Sequence, residues 1–179
     1  MATISNSLPF PLGTYVDSTP GGFMAGALGE LFKSNGKIYR LMQVGATALP
    51  IRTGFYSAVA AGGQKTWVVT GGLWPVNSLV AGVVPEEYTT AIPASAYFLG
   101  QVGGSALVLA GDTIFSALSG VESRLVSGSA GSGFVRQLAA FTTASTTEEF
   151  GVFALAANTI AATATGQSVR VLLKISLDG

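Results

Sequence analysis

The sequence predicts an all-β protein: a compact β-barrel or sandwich of short strands with an extended N-terminal arm and little helix. The 179 residues include 24 Gly and 7 Pro, which divide the chain into runs too short for long helices. Asn35-Gly36 separates two β-rich runs, and Asn-Gly favours a hairpin because a type I′ turn needs positive φ at both central positions. From Val169 to Leu177 every second residue is apolar, the period of a strand with one buried face.

The first 22 residues are predicted to form an arm, and residues 23–179 a single β domain. Prolines that prevent regular strand pairing stand at Pro9, Pro11 and Pro20. The arm also carries apolar anchors at Phe10, Leu12, Tyr15 and Val16. A solvated tail rarely has so many aromatic and aliphatic residues, so we expect the arm to become ordered against a neighbouring subunit. Twenty extended residues span about 65 Å, enough to cross a subunit boundary.

The strands follow one another at the even spacing that is typical of a barrel. The hairpin takes residues 30–33 and 37–44, and residues 55–61 fit either a helical turn or a strand. Further strands are predicted at residues 64–70, 79–84, 95–102, 106–110, 112–118, 150–156 and 168–177. Gly103-Gly104 and Gly111-Asp112 are interpreted as turns. Residues 119–133 are rich in Gly and Ser around a possible strand at 124–126, and 157–166 are interpreted as a loop or an irregular strand.

Charge is scarce: 10% of the residues are charged and 49% are hydrophobic, whereas an average domain has about 25% charged residues. A surface made of Gly, Ala, Ser and Thr in place of charges indicates that much of it faces other protein chains. Nine basic residues balance nine acidic ones, and the basic residues occur singly, so direct nucleic-acid binding is not expected.

Neither a membrane span nor a secretory signal is predicted. The most apolar window, residues 150–164, is interrupted by Asn158 and falls short of the ~20 residues of a spanning helix. The first 13 residues lack both a basic region and an apolar stretch. We therefore expect a protein made and kept in a cytoplasm, or in a particle assembled there.

An enzymatic function is not expected, and neither is a cofactor or a metal. The chain has no His and no Cys, which removes the commonest general base, the commonest metal ligand and any disulfide. Nucleotide-binding glycine motifs and the G-x-S-x-G elbow do not occur. Ser34 and Lys37 formally match the S-x-x-K nucleophile spacing, but the Asn-Gly between them predicts a hairpin instead.

Two pairs of adjacent carboxylates occur, Glu86-Glu87 and Glu148-Glu149. Neighbours in sequence point apart on a strand, and both pairs lie beside Thr-rich segments, so solvated loop tips are the expected reading. The alternative is that one pair meets an arginine of a neighbouring subunit, with Arg52, Arg124 and Arg136 as the candidates.

Aromatic residues supply the remaining candidates for an interface. Trp67 lies within an apolar strand and is expected in the core. Trp74 lies on a Gly- and Pro-bounded loop and is expected to anchor an interface, with sugar stacking as the alternative. Tyr88 follows Glu86-Glu87 in a predicted polar loop. The candidate capsid or subunit interface is therefore Pro9, Phe10, Leu12, Tyr15, Val16, Trp74 and Tyr88.

The order of these segments resembles that of small phage capsid decoration (cement) proteins. The resemblance is carried by residues 25–32 leading into the hairpin that ends YRLMQV, by residues 79–83, 96–104 and 110–114, and by residues 150–156 with the closing 168–173. It spans most of residues 25–176, although Ala156 stands where an acidic residue is often found. The resemblance implies a compact barrel-like domain that binds the outside of an icosahedral shell, bridges capsomers and has no catalytic residues.

Composition and resemblance together lead to one expected function. The chain is expected to be a virion structural protein, made in the host bacterial cytoplasm, that binds the outer capsid surface and stabilises contacts between major capsid protein subunits. Closed symmetry makes a homo-oligomer natural, with a trimer preferred and a dimer possible. The alternative is a receptor- or glycan-binding module of a viral tail, with a site formed by Trp74, Tyr88 and residues 119–133.

Overall fold

A computed structural model of the chain describes residues 4–17, 27–59, 65–71, 80–109, 124–127, 135–137, 154–156 and 168–175. Within these ranges the regular structure is β throughout, which confirms the predicted all-β class. The strands are β1 (Ile4–Ser5), β2 (Leu31–Ser34), β3 (Lys37–Val44), β4 (Gly54–Val59), β5 (Lys65–Thr70), β6 (Val80–Val83), β7 (Tyr97–Leu109), β8 (Arg124–Ser127), β9 (Val135–Gln137), β10 (Ala154–Ala156) and β11 (Ser168–Lys174). The same ranges contain no helix with the length and apolarity needed to cross a membrane.

Five strands close into a barrel in the order β3-β5-β4-β6-β7, and the pairing of β3 with β7 completes the ring. β3 runs antiparallel to β7 from Ile38 opposite Gly103 to Gln43 opposite Tyr97. On its other side, the end of β3 pairs in parallel with β5, with Gln43 opposite Val68. Closure leaves these strands without long unpaired edges.

The barrel interior is filled by a cluster that we call the interior cluster, built around Met42, Phe55 and Phe98. The rings of Phe55 and Phe98 meet edge to face with centroids 5.4 Å apart, a favoured aromatic geometry. Gly82 and Gly100 make room for Phe55, because a Cβ added at either position would lie 2.6 Å from its Cζ atom. The position of the Phe55 ring therefore depends on glycines of two other barrel strands.

The predicted hairpin is confirmed. β2 and β3 pair antiparallel from Leu31 opposite Arg40 to Ser34 opposite Lys37. Asn35 has φ 50° and Gly36 has φ 75°, the positive values that a two-residue turn of this kind needs. The S-x-x-K spacing is thus a hairpin end, as expected.

The prediction of a turn at Gly103-Gly104 is wrong, because residues 97–109 form one continuous strand of 13 residues. β7 changes partner along its length: its first half pairs with β3 and its second half with β11. At the change the register shifts opposite Ile38 and Tyr39, and Gly104 takes φ 83°. A Cβ at Gly104 would lie 2.8 Å from the carbonyl oxygen of Gly36, so this glycine permits a close approach of the hairpin and does not mark a turn.

Strands β8 to β11 extend the second half of β7 as an outer sheet, in the order β7-β11-β10-β8-β9. The predicted alternation in the last strand is confirmed over Ser168–Lys174, where Val169, Val171 and Leu173 are buried and Leu172 is exposed. Of the ambiguous residues 55–61, residues 55–59 belong to strand β4 and the last two lie outside the described residues; the possible strand at 124–126 is β8. The predicted strand at 112–118 lies outside the described residues.

Candidate interaction surface

Residues 4–17, which we call the N-terminal strap, lie against the chain's own barrel. At one end β1 pairs in parallel with β2, with Ile4 opposite Leu31. At the other end Val16 and Tyr97 exchange two backbone hydrogen bonds, with N···O distances of 2.9 and 2.8 Å. The strap is therefore attached at both ends, before the chain enters the hairpin.

Between these two ends the strap covers a second apolar cluster, the outer cluster, which consists of Phe32, Tyr39, Leu41 and Leu99. Side chains of β3 alternate between the two faces of the barrel wall, so Tyr39 and Leu41 face outward while Met42 faces the interior cluster. The strap side chains that pack on the outer cluster are Leu8, Phe10 and Leu12. The outer face of the β3–β7 pair is thus covered by the N-terminal strap, in which the one strand is the two-residue β1.

A tight turn shapes the strap between Pro11 and Thr14. The Thr14 hydroxyl donates a hydrogen bond to the Pro11 carbonyl at 2.6 Å. Gly13 takes φ 81°, and a Cβ there would lie 2.5 Å from the carbonyl oxygen of Glu87. Both the conformation and the close approach call for glycine, and the turn brings the strap onto the loop that precedes β7.

Tyr88 connects that loop to both the strap and the barrel. Its hydroxyl donates to the Thr14 carbonyl at 2.8 Å and accepts from the Leu99 N–H at 3.2 Å. The side chain is 2% exposed, and burial raises the pKa of Tyr88 to about 12, so the phenol stays protonated and can donate. The sequence placed Tyr88 in a polar loop; the structure buries it because its hydroxyl finds two backbone partners inside.

Four charged residues form an ion-pair cluster beside the strap: Lys37, Glu86, Glu87 and Arg170. Lys37 Nζ lies 2.8 Å from Glu86 Oε1 and 3.1 Å from Glu87 Oε1. Arg170 joins through an N···O distance of 3.1 Å to Glu86 Oε2. The expectation of a solvated loop tip at Glu86-Glu87 is therefore wrong. The carboxylates instead link Lys37 at the start of β3 to Arg170 on β11, two cations that are far apart in sequence.

Burial and the contacts within this cluster shift the pKa values of Glu86, Lys37 and the neighbouring Tyr39. Hydrogen bonds from Lys37 and Arg170 lower the pKa of Glu86, although burial opposes the shift. Burial lowers the pKa of Lys37, but its bonds to the two carboxylates outweigh that effect and the net shift is upward. Burial also raises the pKa of Tyr39 above its usual range. These shifts move all three groups away from pH 7, whereas a general acid or base works best with a pKa near the operating pH.

The described ranges hold no group of three or more His, Cys, Asp or Glu side chains that could bind a metal ion.

Arg40 makes a cation–π contact, with its guanidinium 3.8 Å from the centroid of the Trp67 ring. Trp67 packs against the interior cluster, which confirms its predicted place in the core. This contact connects strands β3 and β5.

The structure brings together part of the predicted interface. Phe10 and Leu12 are half-buried on the outer cluster, and Val16 is bonded to Tyr97. Pro9 and Tyr15 are the strap residues of the set that remain exposed. Trp74 lies outside the described residues. That the arm reaches a neighbouring subunit stays a prediction, since residues 4–17 rest on their own barrel.

No protein-family model matches the chain, and no curated protein matches it. Among solved structures it is similar to the N base of the head fiber protein gp8.5 of bacteriophage phi29. The sequences are 11% identical, the TM-score is 0.47, and the overlap covers 77% of this chain and 94% of that chain. At this level of similarity the function has to be argued from the residues of this chain.

Proposed function

We propose that the chain is a phage virion structural protein that binds the outer surface of the capsid and stabilises contacts between major capsid protein subunits. The observation that carries the proposal is the low charge of the surface. Only 10% of the residues are charged, and several of these are engaged within the chain. Four form the ion-pair cluster, and Arg40 is buried against Trp67.

A surface of this kind suits burial against other chains. Apolar area contributes roughly 25 cal/mol per Å² removed from water, before the costs of association. Small uncharged side chains lose little hydration and little side-chain entropy when they are covered. The resemblance in segment order to capsid decoration proteins supports the same conclusion. A homo-oligomer, with a trimer preferred over a dimer, is part of the proposal because closed symmetry matches the local axes of a shell.

The test is co-sedimentation of the purified protein with phage shells that lack it. We expect saturable binding with a fixed ratio of this chain to capsid protein, and shells that survive higher temperature when it is bound. Light scattering of the free protein measures its oligomeric state. A protein that stays in the supernatant at all concentrations would rule the function out.

A charge added to the strap tests whether the strap takes part. Tyr15→Glu places a carboxylate at an exposed strap position, and Thr47→Glu places one at an exposed position after β3. We expect weaker shell binding for the first variant alone, because a buried unpaired charge is costly at an interface. Equal binding of the two variants would remove the strap from the capsid interface.

The receptor- or glycan-binding alternative gains no support from the described residues. Of the site proposed for it, Tyr88 is buried and bonded within the chain, while Trp74 and most of residues 119–133 lie outside the described ranges.

A further inference from the structure

Four of the five arginines of this chain are assigned to one face of the outer sheet, two by side-chain contacts and two by strand register. There are five, Arg40, Arg52, Arg124, Arg136 and Arg170, and they are widely separated in sequence. Arg40 is buried against Trp67. The other four are brought to one face of the sheet formed by the second half of β7 and strands β8 to β11.

Two of these four are placed by their side-chain contacts. Arg170 lies opposite Leu107 of β7, and its guanidinium is partly exposed beside Glu86. Arg52 donates from Nη1 to the Ser168 hydroxyl at 3.2 Å. Ser168 is two residues before Arg170 and therefore shares its face of the strand. Both guanidinium groups are thus associated with the same face.

The register of the sheet assigns the other two to positions on that face. Leu172 lies opposite Leu155, and Leu155 lies opposite Arg124. One strand further on, Val126 lies opposite Arg136. Directly opposite residues share a face, and so do alternate residues of a strand. With strands about 4.8 Å apart and a rise of about 3.4 Å per residue, neighbouring arginine positions on β11, β8 and β9 are about 12 Å and 8 Å apart.

This face is the open side of β11. The opposite side holds Val169 and Val171, which are buried, whereas Leu172 is 46% exposed. Leu107 on the same face is partly exposed. Among the acidic residues of the described ranges, Glu86 is the one with a contact to these arginines, and it is shared with Lys37. Guanidinium groups and apolar side chains are therefore interleaved on this face.

We propose that this arginine face, defined by Arg52, Arg124, Arg136, Arg170, Leu107 and Leu172, binds an acidic segment of another protein in which carboxylates alternate with apolar side chains. Guanidinium groups bind carboxylates through two parallel hydrogen bonds, and arginine is enriched at protein interfaces. The leucines between the arginines favour a protein over a nucleic acid, whose backbone offers phosphates but no apolar partner. The inference rests on the proposed function in that the segment belongs to the capsid shell.

The test compares charge reversals on and off the face. Arg124→Glu and Arg136→Glu are the test variants, and Lys33→Glu is the matched control, because Lys33 is exposed on β2 and its reversal changes the net charge equally. We expect the dissociation constant for phage shells to rise at least about tenfold for each test variant, and less than about twofold for the control. Circular dichroism and thermal unfolding check the fold. If Arg124→Glu fails to fold, Arg124→Gln takes its place, because it removes the positive charge without adding a negative one.

A second set of probes separates this inference from the proposed function. The wild-type chain is titrated with an immobilised peptide of alternating Glu and Leu and with a 30-base-pair DNA duplex at the same salt concentration. If the wild type binds shells and Arg124→Glu and Lys33→Glu bind them with the same dissociation constant, the arginine face is overturned. The proposed function is then unaffected. Shells that fail to bind the wild type overturn the proposed function, while peptide binding lost in Arg124→Glu would still support the face. Tighter binding to DNA than to the peptide would overturn the inference in favour of a nucleic acid.

Discussion

The two apolar clusters of this barrel lie on opposite sides of the same strands but are closed by different means. The interior cluster lies within the closed ring of hydrogen-bonded strands. The outer cluster has the β3–β7 pair beneath it and the N-terminal strap above it. The strap is held at its ends by β1 and by the Val16–Tyr97 bridge. Between these points the strap is fixed by a turn, by side-chain packing and by the hydroxyl of Tyr88.

This difference predicts which part of the molecule can open. Opening the interior requires breaking the ring of strands, which amounts to unfolding the barrel. Opening the outer cluster requires only lifting a segment with few backbone hydrogen bonds to the sheet, and such segments open locally at lower free energy. An arm that is to meet a neighbouring subunit would have to come from the second kind of region.

The largest effect is expected inside the barrel. Phe55→Ala removes a fully buried ring that packs edge to face on Phe98, and we expect the free energy of unfolding to fall by about 3–5 kcal/mol. Denaturant titration measures it. Leu172→Ala, at a side chain 46% exposed, should cost far less. A loss at Phe55 no greater than at Leu172 would mean that the interior cluster does not determine stability.

The next effect concerns the attachment of the strap. Tyr88→Phe removes the hydroxyl that bonds both Thr14 and Leu99, and leaves a buried N–H without its partner. We expect a loss of about 1–2 kcal/mol and faster proteolysis within residues 4–17. Tyr15→Phe deletes a hydroxyl from a tyrosine that is exposed and is the control. Unchanged cleavage of the strap in Tyr88→Phe would show that the hydroxyl does not hold it.

A smaller effect is expected at the hairpin that carries Phe32 to the outer cluster. Gly36 has φ 75°, and nothing lies within 4 Å of a Cβ added there, so the cost of Gly36→Ala is conformational alone. We expect about 1 kcal/mol. Asn35→Gly, which relaxes the same turn, is the comparison. Thermal unfolding of both variants measures the effect, and a stabilised Gly36→Ala would contradict the assigned turn.

The smallest effect is expected from the ion-pair cluster, because it is partly exposed. Glu86→Gln should cost up to about 1 kcal/mol at pH 7, while Glu30→Gln, at an exposed site, should cost less. Since folding lowers the pKa of Glu86 from its ordinary 4.5, its contribution is present above that pH and is lost as the pH falls through the folded-state value. The difference between Glu86→Gln and wild type should therefore vanish in acid. A difference that persists there would assign the effect to something other than the carboxylate charge.

The sequence predicted those turns and strands whose conformation depends on neighbouring residues alone. The turn at Asn35-Gly36 follows from the φ values that Asn and Gly tolerate, and β11 follows from a period of two. The turn predicted at Gly103-Gly104 was wrong because glycine is favoured at several kinds of backbone position, not only in turns. Here Gly104 permits a close approach between β7 and the hairpin, and that approach exists only in the folded barrel.

The candidate surfaces depend on pairing that no local pattern encodes. Tyr88 is buried because its hydroxyl finds partners at Leu99 of β7 and at Thr14 of the strap, which is 74 residues away in sequence. Glu86 meets Lys37 and Arg170 from two distant strands. The gathering of four arginines needs the order and register of the outer sheet, so single, scattered arginines were the most that the sequence could show.

The contact of Phe55 with Gly82 and Gly100 has a consequence for how this protein can change over time. A methyl group at either glycine would collide with the ring, and a smaller side chain at 55 would leave a void. Each single step is therefore harmful, whereas Phe55→Leu combined with Gly100→Ala exchanges volume across the barrel and should cost less than the sum of its parts. These three positions are expected to vary together or not at all.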